Sequence, residues 1–194
     1  MKDTRIAAIA GLLLAAGAIN TQGAVIVTAF ELGGDVVITL EGSLDLSAWE
    51  PSVSGNSIGR IDPAGAQFGL GPHVTDGILD RYLSPPLFDG PTQFGTGDFI
   101  LTSLGQGDSV SFDGKAAGIL VVPSGYVSGS PLSSTSRIDG ETLSSVGMIP
   151  DTYTWTWGSG ASADSLTVNI IPEPSTAFLS LTACAVIGLQ RRRS

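Results

Sequence analysis

The chain is short of the residues that most enzymes and metal proteins rely on. Its single cysteine, Cys184, sits ten positions before the C-terminal residue in an apolar stretch. No disulfide can form within the chain, and a zinc site lacks its thiolates. There is one histidine, His73. It follows a proline in Gly71-Pro72-His73-Val74, a loop-like setting. His73 therefore reads as an ordinary loop residue and not as part of a Ser-His-acid triad. Positive charge is equally sparse. Between residues 24 and 171 only Arg60, Arg81, Lys115 and Arg137 are basic, against sixteen acidic residues, a balance of −12. Nucleic-acid binders need a basic footprint, and anionic membrane surfaces attract basic segments, so both classes of partner are excluded for this region. An acidic surface suits solubility outside the cell and is compatible with divalent cations.

Long helical periodicity is also missing, because 26 glycines and 11 prolines interrupt the chain. Strand patterns take its place. Residues 25–32 and 35–40 alternate and are joined by Gly33-Gly34, a hairpin signal. Residues 43–46 alternate weakly and end near Trp49. Residues 50–97 are rich in Gly, Pro, Ser and Asp and predict long loops with a few short strands. Strands are expected at 99–104 and 109–112, turned by Gly105-Gln106-Gly107-Asp108, then at 118–122 and within 137–146. The clearest is Thr152-Tyr153-Thr154-Trp155-Thr156-Trp157, with threonines on one side and aromatics on the other. Gly158-Ser159-Gly160 turns the chain into a last strand at 165–170. Short strands at this spacing predict an all-β domain, an antiparallel β-sandwich or jelly-roll-like fold. About 148 residues are enough to bury a core without disulfides.

Both ends read as targeting segments. Lys2 and Arg5 precede an apolar run at 6–18, and Thr21 and Gly23 are small residues at −3 and −1 of a cleavage after Gly23. Cleavage after Ala24 is the alternative. This is a secretory signal peptide over 1–23, a substrate for signal peptidase. At the other end stand Pro172-Glu173-Pro174-Ser175-Thr176, thirteen residues from 177 to 189 broken only by Ser180 and Thr182, then Gln190 and Arg191-Arg192-Arg193. As a helix the thirteen residues rise about 20 Å, short of a hydrocarbon core of about 30 Å. Flanking polar residues and snorkelling arginines extend the reach, giving a short transmembrane helix over 177–190 and a basic tail over 191–194. The arginines favour the cytoplasmic side, which leaves residues before Pro172 outside the cytoplasm. The prolines hold the motif extended and open to a processing enzyme.

This three-part tail, 172–194, resembles the PEP-CTERM sorting signal of Gram-negative bacteria. The resemblance rests on Pro172-Glu173-Pro174, the apolar stretch and Arg191-Arg192-Arg193. It implies recognition by an exosortase, an integral-membrane enzyme that removes the tail and passes the protein to the cell surface, usually in bacteria secreting exopolysaccharide. The intervening 24–171 region is similar to a recurrent type of PEP-CTERM cargo domain. That likeness rests on Gly34-Asp35-Val36-Val37, Val122-Pro123-Ser124-Gly125-Tyr126-Val127-Ser128-Gly129, and residues 153–160 with Asp164-Ser165-Leu166-Thr167-Val168. It implies cargo not known to be catalytic and transfers no site residue.

Three weaker site readings remain in the exported region. Asp62, Asp76, Asp80 and Asp89 lie in its middle, where two carboxylates would serve a glycosidase, but nothing in their spacing selects a pair. Asp108-Ser109-Val110-Ser111-Phe112-Asp113-Gly114 offers oxygen donors to calcium, although Val110 and Phe112 break the ligand alternation of a calcium loop. Tyr153, Trp155 and Trp157 share one strand face: exposed, they form a platform for stacking sugar rings, and buried, they form the core. The expectation is an exported, non-catalytic surface or matrix protein with no assigned cofactor. A carbohydrate-binding module for exopolysaccharide and a secreted polysaccharide-active enzyme are the alternatives.

Overall fold

A computed structural model describes residues 23–83, 85–115 and 118–172, without the side chains of residues 75–77. The expected signal peptide except Gly23, and the expected sorting segment except Pro172, lie outside the described residues. The described chain is all-β. Its strands are β1 (Ala24–Leu32), β2 (Asp35–Ser43), β3 (Glu50–Ser57), β4 (Arg60–Asp62), β5 (Gln67–Leu70), β6 (Val74–Leu83) and β7 (Ile100–Leu101). They continue as β8 (Leu104–Gly107), β9 (Val110–Asp113), β10 (Ile119–Pro123), β11 (Leu132–Ile138), β12 (Thr152–Trp157) and β13 (Asp164–Ile171). One sheet has the order β12-β13-β1-β2-β11-β8, the other β3-β6-β10-β9-β5-β4-β7.

Alternation builds the first sheet. Val25, Val27 and Ala29 of β1 point inward with Val36, Ile38 and Leu40 of β2, and Leu166, Val168 and Ile170 of β13 continue the same face. Leu32 pairs with Asp35, so the hairpin loop is Gly33-Gly34, whose φ angles of 67° and 92° place both residues in the left-handed region. A two-residue turn of this hand matches strand twist and strongly favours glycine. β11 puts Leu132, Ser134, Ser136 and Ile138 inward. The two buried serines are satisfied, Ser134 Oγ by donating to the Gln106 carbonyl and Ser136 Oγ by accepting from Gly71 N–H. In the second sheet Ile61, Phe68, Leu70, Val110, Phe112, Leu120 and Val122 point inward, and both inner faces merge into one hydrophobic core.

A chain of rings ties the two faces together. Trp49 meets Trp157 edge-on at 5.2 Å and Phe88 at 6.3 Å. Phe88 reaches Phe112 at 6.2 Å, and Phe112 meets Trp155 edge-on at 5.3 Å. Such pairs contribute about 0.5–1.5 kcal/mol each beyond the area they bury. Trp155 fits because two glycines line its slot. A Cβ on Gly114 would stand 2.4 Å from its Nε1, and one on Gly90 would stand 2.4 Å from its Cδ1. Its indole N–H donates to the Pro91 carbonyl at 2.8 Å.

Several expectations are corrected. Residues 50–97 hold four strands, β3 to β6, rather than mostly loops. Their glycines and serines hide the alternation, because small residues are used where another segment passes close by. Leu104–Gly107 is a strand and not a turn: it pairs with β11 in the first sheet, while β9 belongs to the second, so the chain changes sheets at Asp108-Ser109. The strand expected within 137–146 lies earlier, at Leu132–Ile138, and turns occupy the stretch after it. One ladder is parallel, β1 with β13 from Ala24↔Ser165 to Phe30↔Ile171, whereas the other ladders among the described residues are antiparallel.

Candidate functional site

The aromatic strand face turns inward. Trp155 is 0% and Trp157 1% exposed, and Tyr153 is half-buried, donating its hydroxyl to the Ile149 carbonyl. Thr152, Thr154 and Thr156 take the solvent side. The sugar platform over Tyr153, Trp155 and Trp157 is therefore withdrawn: large rings at the interface of two sheets are worth more as core than as surface.

The middle aspartates are dispersed among structural tasks. Asp62 accepts from Gly65 N–H at 2.9 Å. Asp80 accepts from Gly125 N–H at 2.8 Å and Ser124 Oγ at 3.2 Å. The backbone of Asp89 bridges to Thr156. Asp76 lies in β6, and its side chain is outside the described set. His73 is exposed just before β6. Nor do the proposed calcium donors converge. Asp108 accepts from Ser133 N–H, Asp113 from Lys115 N–H and Gln67 Nε2, and Ser109 Oγ donates to the Pro72 carbonyl. Among the described residues no three His, Cys, Asp or Glu side chains stand together as a metal group. Pro172 is exposed directly after β13. Glu173, Pro174, Arg191, Arg192 and Arg193 lie outside the described residues.

One concave site stands out on the outer face of the second sheet, and a strap creates it. Still paired with β6 at Gly55↔Leu79 and Ser57↔Val74, the irregular end of β3 lies on the sheet's outer face and runs on to Gly59. Gly55 lies over Val121 of β10, with an added Cβ only 3.0 Å from a Val121 methyl. Ser57 Oγ meets Ser111 Oγ of β9 at 2.9 Å, and the Ile58 carbonyl sits over Gly69 of β5. Gly55, Ser57 and Gly59 are buried against the sheet, and Asn56 and Ile58 face solvent. Small residues at every second position let the strap approach. It buries Val121 and Leu79 on a face that otherwise meets water.

Beside the strap opens a groove of about 340 Å³. Its floor is two cross-strand pairs, Asp113 opposite Ile119 and Ser111 opposite Val121. Arg81, opposite Val121 on β6, forms one bank. Arg60 of β4 forms the other. Arg60 donates to Gln67 Oε1 at 2.8 Å, Gln67 Nε2 donates to Asp113 Oδ2 at 3.0 Å, and the guanidinium lies 5.8 Å from the Phe99 ring centre. These contacts hold Arg60 in place. Neither Arg60 nor Arg81 forms an ion pair among the described residues, whereas Arg137 pairs with Asp35 and Asp139. Half of the domain's four cations thus line one groove in a strongly acidic molecule. The sequence signal was present in the scarcity of those cations. Their convergence depends on strands far apart in the chain.

A second polar centre sits at the start of β1. Asp164 is buried, and its Oδ2 accepts from Asp45 N–H at 2.7 Å. Burial pushes its carboxyl up to about 6, against the N–H bonds from Asp45 and Ser165, which lower it, while the charge of Asp45 raises it. Tyr126 is held above its ordinary range mainly by burial. Its hydroxyl accepts from Leu44 N–H at 2.9 Å and donates to the Ser130 carbonyl at 2.7 Å. With Ser128 Oγ, which accepts from Leu46 N–H, it pins the loop at 124–130 to the segment after β2. This is a structural task for part of the stretch that carried the cargo resemblance.

No protein-family model, curated protein or solved structure gives a significant match to the chain.

Proposed function

We propose that the chain is an exported, non-catalytic surface or matrix protein, a β-sandwich domain carried between a cleaved signal peptide and an exosortase-type sorting tail. The observation that carries this reading is the three-part C-terminal segment from Pro172 to Arg193. The fit of the folded unit to the space between the two signals supports it. β1 starts at Ala24, one residue after the expected cleavage, and β13 ends at Ile171, one residue before the Pro-Glu-Pro motif. Because β1 and β13 run parallel, the chain enters at one end of the sheet and leaves at the other. A strand of eight residues spans about 26 Å. Trimming either signal would therefore remove no strand and leave the core whole.

The test is the intact mass of the protein from its native host, measured separately in membrane and extracellular fractions. The expected species starts near Ala24, ends near Pro172-Glu173-Pro174 and is found outside the membrane. A full-length C-terminus retained in the membrane would make 177–190 a permanent anchor and overturn the exosortase reading.

A further inference from the structure

We infer that the groove between Arg60 and Arg81 binds an acidic oligosaccharide, one whose sugar units carry carboxylates. The inference deepens the export reading by naming a ligand class, and it rests on that reading only for where the ligand is met. A guanidinium without an ion-pair partner in a molecule of this charge is an available two-pronged donor for a carboxylate. Arg81 has no such partner among the described residues, and Arg60 is oriented by Gln67 and Phe99. Their strands are separated by β10, β9 and β5, so the backbones of the two banks stand about 19 Å apart at about 4.8 Å per strand spacing. One small anion cannot engage both, and an extended ligand can.

The floor narrows the chemistry further. Asp113 lies between the banks, its two oxygens already accepting from Lys115 N–H and Gln67 Nε2. A carboxylate there repels a bare anion, and its remaining lone pairs suit hydroxyl donors. Asn56 and Ser111 add hydroxyl-matching groups, and the half-buried Ile119 offers an apolar strip to the C–H face of a sugar ring. Cations at the banks, an acceptor in the middle and an apolar strip between them match a chain of hydroxyl-rich rings bearing carboxylates. They match neither a neutral glycan nor a free anion.

The experiment is isothermal titration of the full-length chain, in mild detergent, with short oligogalacturonate at low salt. Maltooligosaccharide and inorganic sulfate are the controls. The expected result is binding of oligogalacturonate alone, weakened by added salt. Replacing Arg81→Gln, on a half-exposed side chain, should weaken it about tenfold or more, the loss of one charge-assisted contact, with an unchanged thermal midpoint. No heat with oligogalacturonate, equal binding of maltooligosaccharide, or affinity unaltered by both Arg81→Gln and Arg60→Gln would each overturn the assignment. Sulfate binding as tight as oligogalacturonate would reduce the groove to a generic anion site. The titration is independent of export, since a chain that stays in the membrane still presents the groove.

Discussion

Gly114→Ala tests how Trp155 is held. The new methyl would lie 2.4 Å from Trp155 Nε1, 2.6 Å from Cε2 and 3.0 Å from Phe112 Cε1. Neither ring can retreat easily, because Gly90 also lies hard against the indole and Phe112 packs on Phe68 at 5.7 Å. Overpacking of this kind costs about 1–3 kcal/mol. A displaced indole also loses its bond to the Pro91 carbonyl, and an unsatisfied buried group costs about 1–3 kcal/mol more. The sum is about 2–6 kcal/mol, a large share of the 5–15 kcal/mol typical of a domain. Urea unfolding followed by tryptophan fluorescence should show a midpoint lower by about 1–2 M with an unchanged slope. In a Trp155→Ala background the same methyl enters the vacated space, so Gly114→Ala should cost close to nothing there. A single substitution that leaves the midpoint in place, or an equal cost in both backgrounds, would refute the slot.

The indole N–H groups give a second test. Trp157 Nε1 is buried without an acceptor among the described residues, unlike that of Trp155. Trp155→Phe should therefore be more destabilising than Trp157→Phe by about 1–3 kcal/mol in paired denaturant titrations. For Asp164 the folded carboxyl titrates near 6 and the unfolded one near 3.8, so the folded state binds the proton more tightly. This group therefore makes stability fall as pH rises through that window. The shift corresponds to at most about 3 kcal/mol, discounted to about 1–2 kcal/mol for partial solvent screening. Asp164→Asn should flatten that slope in unfolding curves taken between the two pH values, and an unaltered slope would rule the residue out as its source. Tyr126→Phe should cost about 1–2 kcal/mol, read as a fall of about 2–6 °C in thermal midpoint, because Leu44 N–H and the Ser130 carbonyl lose their shared partner.

Local chemistry in the sequence determined a good part of this protein. Alternation marked β1, β2, β12 and β13, Gly33-Gly34 determined their first hairpin, and the balance of charge made the domain acidic. Tertiary structure decided the rest. Alternation in β12 shows that its two faces differ, but only the opposing sheet decides that Trp155 and Trp157 are core and the threonines surface. Residues 99–104 and 109–112 look locally like strands turned at 105–108, but pairing with β11 makes Leu104–Gly107 a strand of one sheet while β10 holds Val110–Asp113 in the other. The strap at 55–59 is polar and glycine-rich in sequence because it must lie flat on a sheet, a demand that comes from residues such as Val121 and Ser111 far along the chain. Arg60 and Arg81 became one groove for the same reason: strand order across a sheet is set by packing over long sequence distances, and no local pattern encodes it.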